Sequence, residues 1–349
     1  MGKKFSLSFV FAGCLVWLAV FGCVLFVYRT GWASSSPLSS PAGASRMVDA
    51  FEAASGRHPG FRRNHAKGIC VAGRFQSNGN VSDISSALFL RPGSYPVIGR
   101  LSVVGGNPSV NDTQSRLRSL ALEMTAGTQS WRMALNSIPI FFVNTPEALL
   151  EQLRASVPDA RTNVVNTERM NSFFQEHPET RPFEDWMNSH RPSSGFDNAP
   201  YYSVNAFRFI DADGQEHFVR WRMEPEKSFQ PISDEQIAHN DPDMLAYSLV
   251  STLKQGSIRW HLIVTLALPG DPVNDATQLW SRDGHREVDA GVLVIDRQEP
   301  QIDGACRDID FNPLVLPSGI QPSDDPLLRA RSAAYAESHR RRVQEATAH

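Results

Sequence analysis

The sequence predicts an α+β fold: an antiparallel eight-stranded sheet or barrel with surrounding helices, preceded by one N-terminal transmembrane helix. Three observations lead there. Eight stretches rich in β-branched and aromatic residues are separated by Gly, Asn and Ser turns. Helical patterns gather after the fourth stretch and at the C-terminus, so no strict βα alternation runs through the chain. An uncharged apolar run covers Phe5 to Tyr28, longer than the apolar core of a signal peptide.

The elements follow in order. Lys3 and Lys4 precede the apolar run and Arg29 follows it, which places the N-terminus in the cytoplasm and the rest of the chain outside. Residues 1–29 are thus an anchor; a cleaved signal segment, ending near Gly31-Trp32-Ala33, is the alternative. Residues 30–46 are rich in Ser, Pro, Ala and Gly and read as a flexible linker. Residues 47–349 form the folded domain. Its first four strands are Gly68–Phe75, Val97–Val104, Leu117–Met124 and Trp131–Val143. Thr145 is an N-cap and Pro146 opens a helix that runs to Ser156. Residues 162–190 are helical with breaks at Pro178 and Pro182. Tyr201–Ile210 and His217–Met223 make a hairpin around Asp211-Ala212-Asp213-Gly214. Ile258–Ala267 and Ala290–Ile295 are the last strands, and Pro326–Glu345 is a terminal helix.

Composition narrows the function. At 41% hydrophobic residues the chain of 349 can bury a sizeable core. A net charge of −3 gives no electrostatic reason to expect nucleic acid as a partner. Four cysteines are too few for a disulfide scaffold. Cys14 and Cys23 lie in the apolar run, while Cys70 and Cys306 reach an oxidising compartment; the sequence leaves their pairing open. No HExxH, Walker loop or GxSxG elbow is present. Val104-Gly105-Gly106 lacks the following helix that a dinucleotide site needs.

Two places carry chemistry. Arg62-Arg63-Asn64-His65-Ala66-Lys67-Gly68 puts a histidine at the mouth of the first strand, where it can act as acid or base near neutral pH. On the terminal helix Arg331 and Tyr335 are spaced i, i+4 and share a face. A guanidinium beside a phenol favours the phenolate, and tyrosine is one of the protein ligands of haem iron. On spacing alone, a solvated basic helix end explains this stretch as well.

These residues resemble haem catalases, above all the short catalase-related peroxidases. His65-Ala66-Lys67-Gly68 looks like the family's distal-histidine block. Arg100-Leu101-Ser102, Asn136-Ser137-Ile138-Pro139-Ile140-Phe141-Phe142, Asp275-Ala276-Thr277-Gln278-Leu279-Trp280 and Arg331-x-x-x-Tyr335 resemble four further blocks, in the family's order. The resemblance implies an eight-stranded antiparallel barrel with haem b beside it. It implies Tyr335 as the iron ligand and Arg331 as the group that stabilises its phenolate. His65 then moves the peroxide proton, Asn136 orients the peroxide, and Ser102 hydrogen-bonds His65. Arg62, Arg100 and Arg342 match positions that pair with haem propionates.

Leu101 stands where the family has Phe, and Ser137-Ile138 where it has Asn-Thr. The chain stops soon after the proximal helix, as in the short relatives. The implied activity is a peroxidase that reduces hydrogen peroxide or organic hydroperoxides with a small-molecule electron donor, with weak catalase activity. A lipid-hydroperoxide isomerase or dehydratase, or a non-catalytic haem-binding protein, are the other readings of the same pocket. The expected setting is the extracytoplasmic, periplasmic side of a membrane, or secretion if the leader is cleaved, as a monomer or homodimer.

Overall fold

The computed structural model describes residues 36–280 and 283–347. The apolar run Phe5–Tyr28, with Cys14 and Cys23, lies outside these residues. Among the described residues no helix is long and apolar enough to cross a membrane.

Ten strands form one sheet: β1 (Gly68–Ser77), β2 (Gly93–Val103), β3 (Arg118–Ala126), β4 (Gln129–Asn136), β5 (Tyr201–Tyr202), β6 (Phe207–Ile210), β7 (Glu216–Pro225), β8 (Ile258–Leu266), β9 (Glu287–Pro300) and β10 (Ile320–Pro322). All pairings are antiparallel. β1 pairs with β2 on one side and β9 on the other, and β7 pairs with both β5 and β8. The sheet therefore closes as an eight-stranded barrel through β1-β2-β3-β4-β5-β7-β8-β9, with β6 and β10 added on the β7 side. Closure removes the free edges that an open sheet would expose.

The period of two along each strand separates two jobs. Leu101, Leu120, Leu122, Met124, Trp131 and Leu135 alternate inward, each 2% exposed or less, and fill the barrel core. The intervening residues of β2, β3 and β4, from Arg100 and Ser102 to Asn136, face outward.

Seven helices complete the described fold: α1 (Pro41–Ser55), α2 (Pro146–Ala155), α3 (Thr167–Glu176), α4 (Arg181–Ser189), α5 (Asp234–His239), α6 (Met244–Gln255) and α7 (Pro326–Thr347). The first is a correction. The stretch read as a linker to residue 46 is ordered from Ser36, with a short 3-10 turn at Pro37–Ser39 and then α1. The same Ser and Pro that suggested a linker are start signals: Ser40 caps α1 through the Gly43 N–H, and Pro41 occupies its first turn. Leu38, Met47 and Ala50 then pack with Leu149 and Leu150 of α2 in a second, smaller core. The strand expected over Trp131–Val143 stops at Asn136. Ser137 N–H closes the ladder on Arg118 O, and Pro139 has no N–H to continue it. The helix at Pro146 forms as expected, with Thr145 accepting from the Ala148 N–H.

Candidate active site

One rung of the barrel organises the site. Gly68 pairs with Ser102, Ser102 with Ser119, Ser119 with Asn136, and Asn136 with Tyr202. Residues paired across an antiparallel ladder share a face, so Ser102, Ser119 and Asn136 stand side by side on the outer surface. Ser119 donates its hydroxyl to Asn136 Oδ1 at 2.7 Å. Two positions along the same face lies the row Cys70, Arg100, Ala121 and Ala134.

His65 enters from the loop just before β1. Its backbone is left-handed, φ 56°, which a side-chain-bearing residue adopts at a cost. Asn64 Oδ1 accepts its N–H at 2.9 Å. The residue keeps some accessible surface, but its Nδ1 is buried. Burial, reinforced by the cations of Arg100, Arg331 and Arg62, pushes its pKa down to about 3. The imidazole is therefore neutral at physiological pH and able to accept a proton. The expected bond from Ser102 to His65 Nδ1 is not made; among the described residues that nitrogen has no hydrogen-bond partner. The orientation of His65 is set through the backbone rather than through Ser102.

Tyr335 arrives on α7. Asp325 lies just before the helix, and its Oδ1 accepts the Leu327 N–H at 2.9 Å. Tyr335 packs with Ile98 and Ala121 against Cys70, Cys306 and Phe311. Cys70 and Cys306 form a disulfide with Cα atoms 5.3 Å apart, which settles the pairing that the sequence left open. Arg331, one turn before Tyr335, does not bond it. Its guanidinium donates to Asn205 Oδ1 and, at 3.3 Å, to the carbonyl of Ala134. Asn205 Nδ2 in turn donates to Asp325 Oδ2 at 2.7 Å, so the start of the helix and its arginine are tied by one buried amide.

Three arginines converge beside Tyr335. Arg62 donates to the carbonyls of Cys306 and Ile309 and lies over the Phe311 ring. Arg100 donates to Ala66 O and Gln301 Oε1. Arg342 is 5% exposed, and among the described residues neither its Nε nor its Nη2 has a hydrogen-bond partner, although Asp308 and Asp310 favour its charge. None of the three forms a salt bridge among the described residues. Burial, then mutual repulsion, holds Arg62 well below the usual arginine range and brings Arg100 down to about 9. Burial likewise lowers Arg342. Buried cations stacked like this are stabilised by an anion that reaches all of them. Two carboxylates on a flat apolar group, with Tyr335 as an anionic oxygen ligand, match this donor set; the residues fit a haem. No cluster of His, Cys, Asp and Glu suited to a metal ion occurs among the described residues.

The structure thus sets Ser102 and Asn136 on one rung, either side of Ser119, with His65 in the loop that leads into it, and brings Arg62 and Arg100, with Arg342 next to them, to Tyr335. Sequence reasoning missed Asn64, Ser119, Asn205 and Asp325. Ser119 was legible: the Gly127-Thr128 turn pairs Ala126 with Gln129, and counting back from it sets Ser119 against Asn136.

Comparison with known proteins identifies the family. A model of the catalase family matches residues 55–349. The chain is 30% identical over 328 residues to a catalase-related peroxidase of Synechococcus elongatus, covering 94% of this chain and 96% of that one. A catalase-related peroxidase of Mycolicibacterium paratuberculosis is 28% identical, over 84% of this chain and 92% of the relative. A catalase of Pseudomonas aeruginosa is also 28% identical, but this chain spans only 56% of it. Among solved structures, a fungal catalase superposes with a TM-score of 0.75 at 20% identity, over 82% of this chain and 60% of that one, which is likeness of fold. The family model covers most of the chain; the chain belongs to the catalase family.

Proposed function

We propose that this oxidoreductase acting on peroxide is a haem b peroxidase that uses a small-molecule electron donor, with weak catalase activity. The observation that carries the reading is the joint placement of a neutral, buried His65 and a Tyr335 beside three buried arginines that form no salt bridge among the described residues. Tyr335 would ligate the iron, and Arg62, Arg100 and Arg342 would hold the propionates. When bound, the haem supplies the two-electron redox chemistry of peroxide reduction.

The chain's own residues handle position and protons. Asn136, its oxygen engaged by Ser119, turns its NH2 group outward as a donor to the peroxide. His65 takes the proton from one peroxide oxygen and delivers it to the other, so that water leaves rather than hydroxide. Its depressed pKa keeps it in the accepting form, and its burial excludes bulk water from competing. A match at 30% identity that spans nearly the full length of the Synechococcus catalase-related peroxidase supports the peroxidase reading over the catalase one.

The buried Cys70–Cys306 disulfide supports folding in an oxidising compartment, outside the cytoplasm, as the apolar N-terminal run also suggests. The deciding experiment uses the protein from residue 36 onward, with haem supplied. His65→Ala should retain haem and lose donor-dependent turnover by about a hundredfold or more. Tyr335→Phe should lose haem. Turnover that survives His65→Ala overturns the acid–base assignment, and a wild-type protein that takes up no haem overturns the whole reading.

A further inference from the structure

The distal loop is seated on a second loop by a contact that the function above does not use. Asn64 Oδ1 accepts two backbone N–H groups at 2.9 Å each: that of His65 and that of Gly105, 41 residues further along. Gly105 O accepts the Ala66 N–H at 2.8 Å. His65 is thus bracketed, through the side chain before it and the backbone after it, by one residue of the Val104-Gly105-Gly106 turn.

Both glycines are required there. Gly105 has φ 120°, which residues with a side chain rarely adopt. A Cβ on Gly106 would come within 2.7 Å of Arg63 O and of Ser55. The turn therefore presses directly on the backbone of the distal loop. That loop needs holding, because His65 sits at φ 56° and would relax to a common conformation if released. A carbonyl oxygen with two lone pairs can serve two N–H donors at once, and among neutral side chains only Asn and Gln offer one at a short reach.

We propose that Asn64 and the Gly105-Gly106 turn form a saddle that positions His65, making Asn64 a positioning residue for the proton transfer. It rests on the reading of His65 as the proton carrier. Asn64→Val removes the acceptor and keeps the bulk. Asn64→Asp restores an acceptor for both N–H groups.

The test has two readouts. The first is amide hydrogen exchange over residues 60–68 and 103–107 in haem-free protein, which needs no activity. Asn64→Val should lose protection at His65 and Gly105, and Asn64→Asp should regain it. The second is steady-state peroxidase kinetics of the haem-loaded enzyme. Asn64→Val should lower kcat by roughly tenfold to a hundredfold, as displacing a catalytic group by a fraction of its reach does, with the KM for the electron donor unchanged and haem content normal. Asn64→Asp should recover most of kcat. If Asn64→Val keeps wild-type protection and kcat, or if folded Asn64→Asp is as impaired as Asn64→Val, the saddle is wrong. If Asn64→Val does not fold, Gly105→Ala replaces it, with the same expected losses and the same overturning result. The failure of the underlying reading is distinct: it shows as His65→Ala retaining turnover whatever Asn64 does.

Discussion

Ser119 and Asn136 face each other across β3 and β4, and the Ser119 hydroxyl donates to Asn136 Oδ1 at 2.7 Å. That single bond decides which end of the Asn136 amide is offered outward. Replacing Ser119 by Ala should let the amide rotate. A neutral hydrogen bond is worth about 1 kcal/mol, so kcat/KM for hydrogen peroxide should fall by about fivefold, with haem content unchanged. Stopped-flow measurement of the peroxide step checks it.

Arg342 gives a prediction of opposite signs in two states. In haem-free protein it is a buried cation with two unpaired nitrogens beside Arg62 and Arg100. Burying a charge without a hydrogen-bonded partner costs free energy, and here that cost outweighs the pull of Asp308 and Asp310, so an apolar side chain of similar volume should be no less stable. Arg342→Met should therefore hold or raise the Tm of haem-free protein. The same change should speed haem release by about tenfold, because one propionate loses its partner. Thermal melts and haem transfer to an acceptor globin measure the two effects.

His65 predicts an acid limb in stability. Its pKa is about 3 in the fold against about 6.5 in an unfolded chain. Between those values the unfolded chain binds the extra proton and the folded one does not. Stability is thus complete above about 6.5 and is lost as pH falls from there toward 3. The His65→Leu variant cannot take up that proton, so its haem-free Tm should depend less on pH between 6.5 and 4 than that of wild type. Parallel curves for the two proteins would contradict the buried neutral histidine.

The disulfide predicts a local as well as a global loss. Residues 301–312 have no regular structure. They nevertheless supply Gln301 Oε1 to Arg100 and the carbonyls of Cys306 and Ile309 to Arg62. Cys70–Cys306 ties this segment to β1. Removing a native disulfide costs about 2–5 kcal/mol. The double variant Cys70→Ala, Cys306→Ala should melt several degrees lower and exchange amide hydrogen faster across 301–312.

What the sequence revealed divides along physical lines. Strands with inward alternation were readable because burial on one face forces a period of two, as in β3 with Leu120, Leu122 and Met124. The α2 and α7 starts were readable because Pro146 and Pro326 sit where a missing N–H costs nothing. Pro41 carried the same signal for α1, but among so many Ser and Gly it read as linker, and only packing against α2 and α7 distinguishes the two. The individual blocks His65, Asn136 and Tyr335 were visible through family resemblance. Their connections were not. The links from Asn64 to Gly105 and from Asn205 to Arg331 join residues 41 and 126 positions apart. No local pattern encodes contacts at that range. The bond expected from Ser102 to His65 failed for the same reason: a side chain's presence in the right block does not fix its rotamer.

The division of the barrel wall into two faces also governs how such an enzyme can change. Inward residues such as Leu101 and Leu120 answer to packing, and any swap there disturbs every neighbour. Outward residues such as Ser119 and Asn136 face the proposed site, and closure of the ring holds their spacing without their help. A lineage can therefore rewrite the chemistry one outward position at a time while the structural inheritance beneath it stays intact. The wall works as a printed page whose reverse side is left untouched by each new edition.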